Sequence, residues 1–196
     1  MLPILSQKCT DVLIRHQKIT KEQYSIYLYG FELLFSTGIC IMSILLLGAL
    51  FHYLHLAIIF LLFFIPVRIA GGGYHAKSYA NCYILTNSIA LGCVVISYII
   101  WKNQTKWLNI LLLITLLFSL YIMWKKAPII PYKYRLQQER FYINRKYARC
   151  ILTAESISLL YLMLLHNHCM TYTAIVTTYA VAIMMIIPNK EGGHLV

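Results

Sequence analysis

The chain reads as an all-α protein, a polytopic membrane helical bundle of about six transmembrane helices preceded by an N-terminal amphipathic helix. Three observations predict this. Of its 196 residues 60% are hydrophobic and 12% charged, with a mean hydropathy of +0.69, whereas soluble domains carry about 25% charged residues. Apolar runs recur along the whole chain at close to the length a span needs, about 20 residues for a ~30 Å hydrocarbon core. The basic residues collect mainly in the gaps between those runs. The length suits a single membrane domain over 1–196, with an amphipathic region at 1–29, a transmembrane core at 30–187 and a tail at 188–196.

Residues 2–19 place Leu2, Leu5, Cys9, Val12, His16 and Ile19 at alternating spacings of three and four, with Lys8, Arg15 and Lys18 on other faces. That pattern predicts a basic amphipathic helix lying on a membrane surface. The apolar start is too short, and its basic residues too late, for a cleavable signal peptide. Thr20 with Gln23 reads as a capping box opening a helix that continues into a first span at about 30–51. Further apolar runs cover about 54–67, 80–101, 107–124, 149–166 and 170–187. The run at 54–67 is short for a full crossing.

Charge placement orients the spans. Alternating them puts the N-terminal region, the 68–79 segment, the 125–149 segment and the C-terminus on one side. That side holds 15 of the 17 Lys and Arg, leaving Lys102 and Lys106 across the membrane. The positive-inside rule makes the crowded side cytoplasmic. Six cysteines at 9, 40, 82, 93, 150 and 169 form no zinc-type spacing, and a disulfide framework is not expected. The formal charge of +11 does not argue for nucleic acid, since no soluble face interleaves basic and aromatic residues.

The chemistry concentrates in residues 66–83, PVRIAGGGYHAKSYANCY. Gly71, Gly72 and Gly73 permit a shaped turn that other residues disfavour. His75 and Cys82, seven apart, stand at the mouth of the next apolar run. If that run is a helix capped near Ser78, Cys82 falls in its first turn, where the positive end of the helix favours a thiolate. On one continuous helix a seven-residue spacing separates the pair by roughly 10 Å along the axis, so pairing requires His75 to fold back from the glycine-led turn. Spacing alone also fits an interfacial histidine and a packed cysteine.

No acidic residue occurs between Glu32 and Glu139. Glu32 is expected near the cytoplasmic end of the first span. Glu155 lies within the fifth, where an ionisable group is a functional candidate, with Arg68 or Lys77 as a partner; a structural ion pair is the other reading. Glu32, Glu155, Asn81 and Asn87 are the candidates to orient His75. The segment KKAPIIPYKYRLQQERFYINRKYAR at 125–149 fits contact with an anionic leaflet, at about 1 kcal/mol per basic residue. It also fits a dock for an acidic peptide, with Lys125, Lys126, Lys133 and Arg135 as the cations and Lys77 nearby. His52 with His55, and His166 with His168, lack a carboxylate or third ligand nearby, so no metal site is expected.

VRIAGGGYHAKSYANCYIL closely resembles the signature of the accessory gene regulator B (AgrB) family of membrane cysteine endopeptidases. The likeness rests on Arg68, the glycines ending in Gly73, the Tyr-His-Ala-Lys of 74–77, and Cys82. It extends to YGFELL at 29–34, to APIIPYKYRLQQER at 127–140, and to the order of spans. The resemblance implies an enzyme that trims the C-terminal tail of a small AgrD-like autoinducer propeptide and leads it to a cyclic thiolactone or lactone. It implies Cys82 as nucleophile and His75 as general base, with Arg68 and Gly73 supporting the site, and a homodimer. No phosphate-binding loop occurs, and thioester exchange needs no nucleotide, so no cofactor is expected. The competing class is a non-catalytic bundle that exports a peptide or partners a transporter, which typically shows broken helices in matching halves of the chain.

Overall fold

The computed structural model describes residues 2–71, 79–127, 138–164 and 168–187, which are helical apart from a few turn residues, with no strand among them. The helices are α1 (Leu2–Arg15), α2 (Tyr24–Leu50), α3 (Leu54–Gly71), α4 (Tyr79–Lys102), α5 (Lys106–Lys126), α6 (Gln138–Leu164) and α7 (His168–Ile186), with one 3-10 turn at Lys21–Gln23. Five are long and apolar enough to cross a membrane: α2, α4, α5, α6 from Ile143, and α7. The sixth apolar helix, α3, is shorter. The protein is a multi-pass, all-helical membrane bundle.

The amphipathic helix ends at Arg15, earlier than its periodicity suggested, because the chain closes a Schellman motif there. Lys18 N–H donates to the Leu13 carbonyl and Gln17 N–H to that of Ile14, with Gln17 at a positive φ of 53°, the left-handed position usually given to glycine. The face of α1 turned to the protein is small and polar. Ser6 and Thr10 are fully buried where α1 lies against α2, and small residues of this kind let helix backbones approach closely. Leu5 and Val12, on the apolar stripe, remain exposed. At the expected capping box, Gln23 Oε1 accepts the Thr20 N–H at 3.2 Å.

The centre of the bundle is α7, buried over 67% of its span against 6% for α2. Its neighbours are α3, α4, α5 and α6. Threonines 171, 173, 177 and 178 are buried along it. Thr173, Thr177 and Thr178 turn their hydroxyls back onto carbonyls one turn earlier, which satisfies them where no water is available. The short helix α3 supplies much of the core through Leu56, Phe60, Phe63, Phe64 and Val67, and touches α2, α4, α6 and α7. Its length reflects that position: it is enclosed by other helices more than by lipid.

Two boundaries differ from the sequence reading. α3 runs through Pro66 and reaches Gly71. The proline removes one backbone donor and costs about 3 kcal/mol in a regular helix interior, but the buried residues on both sides, Phe63, Phe64 and Val67, hold the helix together. Arg68 therefore rides on a helix and not in a turn. α6 starts at Gln138, eleven residues before the apolar run at 149, so Arg145, Lys146 and Arg149 belong to its first turns. Arg149 covers the Trp124 ring of α5, with its guanidinium carbon 5.2 Å from the ring centre.

Candidate functional site

The last turn of α3 and the first turn of α4 meet at one end of the bundle. Arg68 lies one turn beyond Phe64, and its guanidinium stacks over the Phe64 ring at 5.3 Å, a cation–π contact at helical i,i+4 spacing. So fixed, it reaches two other helices. Nη2 donates to Cys82 Sγ on α4 at 3.5 Å, and Nη1 to Met184 Sδ on α7 at 3.8 Å. Cys82 is the fourth residue of α4. The first four N–H groups of a helix have no intrahelical partner and give that end a partial positive charge. The sulfur thus stands between a guanidinium and a helix N-terminus, half-buried, at the level where the apolar part of the bundle ends.

A second layer lies just inside. The Thr86 hydroxyl donates to the Cys82 carbonyl at 2.9 Å. Asn87 Nδ2 donates to the Tyr83 carbonyl at 2.9 Å and to Cys40 Sγ on α2 at 3.7 Å. Ser43 Oγ is 2.9 Å from both the Asn87 amide oxygen and the Cys40 carbonyl, so its single hydrogen is shared. Cys40 is itself within electrostatic reach of Cys82 and Arg68. The cluster ties α2, α3, α4 and α7 together around one thiol.

Of the residues singled out in the sequence, Arg68 and Cys82 are brought together across 14 positions. His75, Gly73, Lys77, Lys133 and Arg135 lie outside the described residues. Glu32 is on α2, partly buried. Glu155 is buried on α6, and its Oε1 has no hydrogen-bond partner among the described residues; its neighbours one turn away on either side, Leu152 and Leu159, belong to the apolar core. Lys125 and Lys126 are exposed on the last turn of α5, Lys125 lying 5.2 Å over the Tyr121 ring. Asn87 is engaged by Ser43 and Cys40. Sequence reasoning missed Cys40, Ser43, Thr86 and Met184 as members of this cluster. Of these four only Thr86, at i,i+4 from Cys82, carried a local signal.

The opposite end is closed by short turns and paired hydroxyls. The Tyr172 hydroxyl, in the first turn of α7, donates to Asn109 Oδ1 at 2.7 Å and lies 3.2 Å from Gln104 Oε1. These contacts place the α4–α5 turn beside the start of α7, as alternating spans require.

Fold and site together define a class: a polytopic helical membrane protein with an arginine-paired thiol at the mouth of its bundle. Comparison with known families makes the assignment specific. The chain belongs to the accessory gene regulator B family, which it matches over residues 6–187. That is a family of cysteine-protease-like processing proteins of autoinducer peptide quorum sensing, with an AgrD-like propeptide as partner. No curated protein and no solved structure matches the chain.

Proposed function

We propose that this protein is a membrane cysteine endopeptidase that cuts the C-terminal tail from an AgrD-like propeptide and holds the remainder as a thioester on Cys82. The observation that carries the reading is the 3.5 Å contact of the Arg68 guanidinium with Cys82 Sγ in the first turn of α4. A thiol attacks as its thiolate, and the guanidinium stands as a cation beside Sγ while charge develops in the reaction. In the reaction His75 removes the thiol proton and the sulfur attacks the peptide carbonyl. The C–N bond breaks, and the imidazolium returns its proton to the leaving amine. The acyl group remains joined to Cys82 as a thioester. A thiol or hydroxyl within the peptide then displaces Cys82, which closes a thiolactone or lactone and regenerates the enzyme thiol. Because one activated ester replaces another, the exchange into a thiolactone is close to balanced.

The cationic end of the bundle supports the same reading. Lys125, Lys126 and the first turns of α6 surround the site end, so an acidic tail meets positive charge on arrival. By the positive-inside rule that end faces the cytoplasm.

The test is co-expression with a candidate propeptide, read by mass spectrometry. Wild type yields the tail-less or cyclic product, and Cys82→Ser lowers tail removal by on the order of 10³-fold or more at unchanged membrane expression. Full cleavage by Cys82→Ser rejects the proposal. Thiol labelling adds a second readout: Cys82 reacts faster than Cys40 or Cys93 and loses that excess in His75→Ala.

A further inference from the structure

Between α2, α3 and α4 lies an apolar cleft of about 320 Å³, within the size range of ligand pockets, bounded by Ile44, Ala57, Phe60, Asn87, Ala90 and Tyr98. It follows α4 from Asn87 to Tyr98, eleven residues or roughly 16 Å of helix. A space this large forfeits dispersion contacts along its walls when empty, and a charged group inside it would lack partners. Its Asn87 end is the one that matters. Asn87 bonds Cys40 and Ser43, and the adjacent Thr86 bonds the Cys82 carbonyl, so the cleft begins where the cluster around the thiol stops.

We infer that this cleft is the specificity pocket for the acyl side of the cut: it receives the bulky apolar side chains that precede the cleaved bond. The inference rests on the endopeptidase reading and adds the substrate feature the enzyme selects. Asn87, which both lines the cleft and bonds into the cluster beside Cys82, identifies the occupant. A peptide joined through its carbonyl to that sulfur has its preceding residues within reach of the Asn87 end, and they stay on the enzyme after the tail leaves. Side chains seated in the cleft anchor the acyl group at the edge of an apolar volume, where little water is available to hydrolyse the thioester. The acidic tail, met by the cations at the site end, gains nothing from such a surface, so what the cleft selects is on the acyl side. Asn87 acts as a positioning residue at the junction.

The test uses the full-length protein in phosphatidylglycerol–phosphatidylethanolamine vesicles and an AgrD-like propeptide with Phe, Leu, Ala or Asp before the cut. Wild type prefers Phe or Leu over Ala by at least ~10-fold in kcat/KM, the size expected for filling an apolar pocket, and rejects Asp. In Ala90→Phe, which fills the cleft, the Phe-to-Ala ratio falls to about one. A uniform loss that preserves the ratio overturns the inference, as does an unchanged ratio. Because Ala90 is buried, a second measurement uses benzoylphenylalanine at Leu91, an exposed cleft residue, in the Cys82→Ser background. Cross-linking to the propeptide from Leu91, and not from the exposed Leu117 of α5, supports the assignment. Cross-linking to phospholipid alone, not displaced by propeptide, assigns the cleft to a lipid tail and overturns it. If wild type cuts no propeptide, the endopeptidase reading fails and this inference with it; cutting without preference sinks only the cleft.

Discussion

The two ends of the bundle are built from different chemistry. At the far end, oxygen meets oxygen. Tyr172 reaches Asn109 and Gln104, and short turns join α2 to α3 and α4 to α5 there. At the site end the Arg68 guanidinium touches two sulfurs and an aromatic face. Sulfur is a weak acceptor and a good nucleophile. One end is thus paired for closure, and the other keeps a reactive atom beside a cation. The difference suggests where mutations should affect activity and where they should affect stability.

The sharpest way to break this contrast is at Arg68. Arg68→Met keeps much of the packing over Phe64 and removes the charge beside Cys82, so tail removal should fall ~100-fold, the scale of losing one preorganised electrostatic group, while thermal stability in detergent changes little. Arg68→Lys should recover part of the activity, since a point charge replaces a planar fork. Equal activity in Arg68→Met would remove the distinction between the ends.

Gly48 probes the far half. A Cβ there would stand 2.6 Å from the Ala57 Cβ and 3.3 Å from the Leu54 Cα, so α2 and α3 touch at that point because a side chain is missing. Gly48→Val should destabilise the fold by about 1–3 kcal/mol through overpacking, read as a lower thermal midpoint. Glu155 tests whether a buried acid serves activity at a cost in stability. Glu155→Leu removes a buried carboxyl whose Oε1 has no hydrogen-bond partner among the described residues and should stabilise by about 1 kcal/mol. A concurrent loss of cleavage would mark the acid as functional, and full cleavage as structural. The smallest effect is expected at Tyr172→Phe, about 0.6 kcal/mol for one interhelical hydrogen bond in a membrane, with cleavage rates unchanged.

Much of the architecture was legible because its signals are local. Apolar runs, the Thr20–Gln23 cap and the basic gaps each depend on residues within a turn or two, and helices α2, α4, α5 and α7 begin and end close to where those signals put them. The misreadings came from non-local forces. The apolar run ends near 67, yet residues flanking Pro66 bury into α3's neighbours and the helix continues to Gly71. The start of α6 was hidden because a helix can extend as a polar rod beyond the apolar part of its span, and hydropathy registers only the apolar part. Cys40, Ser43 and Met184 carried no signal at all, since their relation to Cys82 exists only once four helices pack.

By itself the sequence determined that this chain folds as a bundle of membrane helices, which end carries the positive charge, and which thiol stands at a helix start. Those follow from the transfer of each segment out of water and from spacing along one helix. Tertiary structure alone decided that Arg68 reaches Cys82, that α7 is the centre, and that a cleft leads away from Asn87. Those depend on which helices touch, and contacts that span from 14 positions, Arg68 to Cys82, to 116, Arg68 to Met184, are fixed by packing and not by any local pattern.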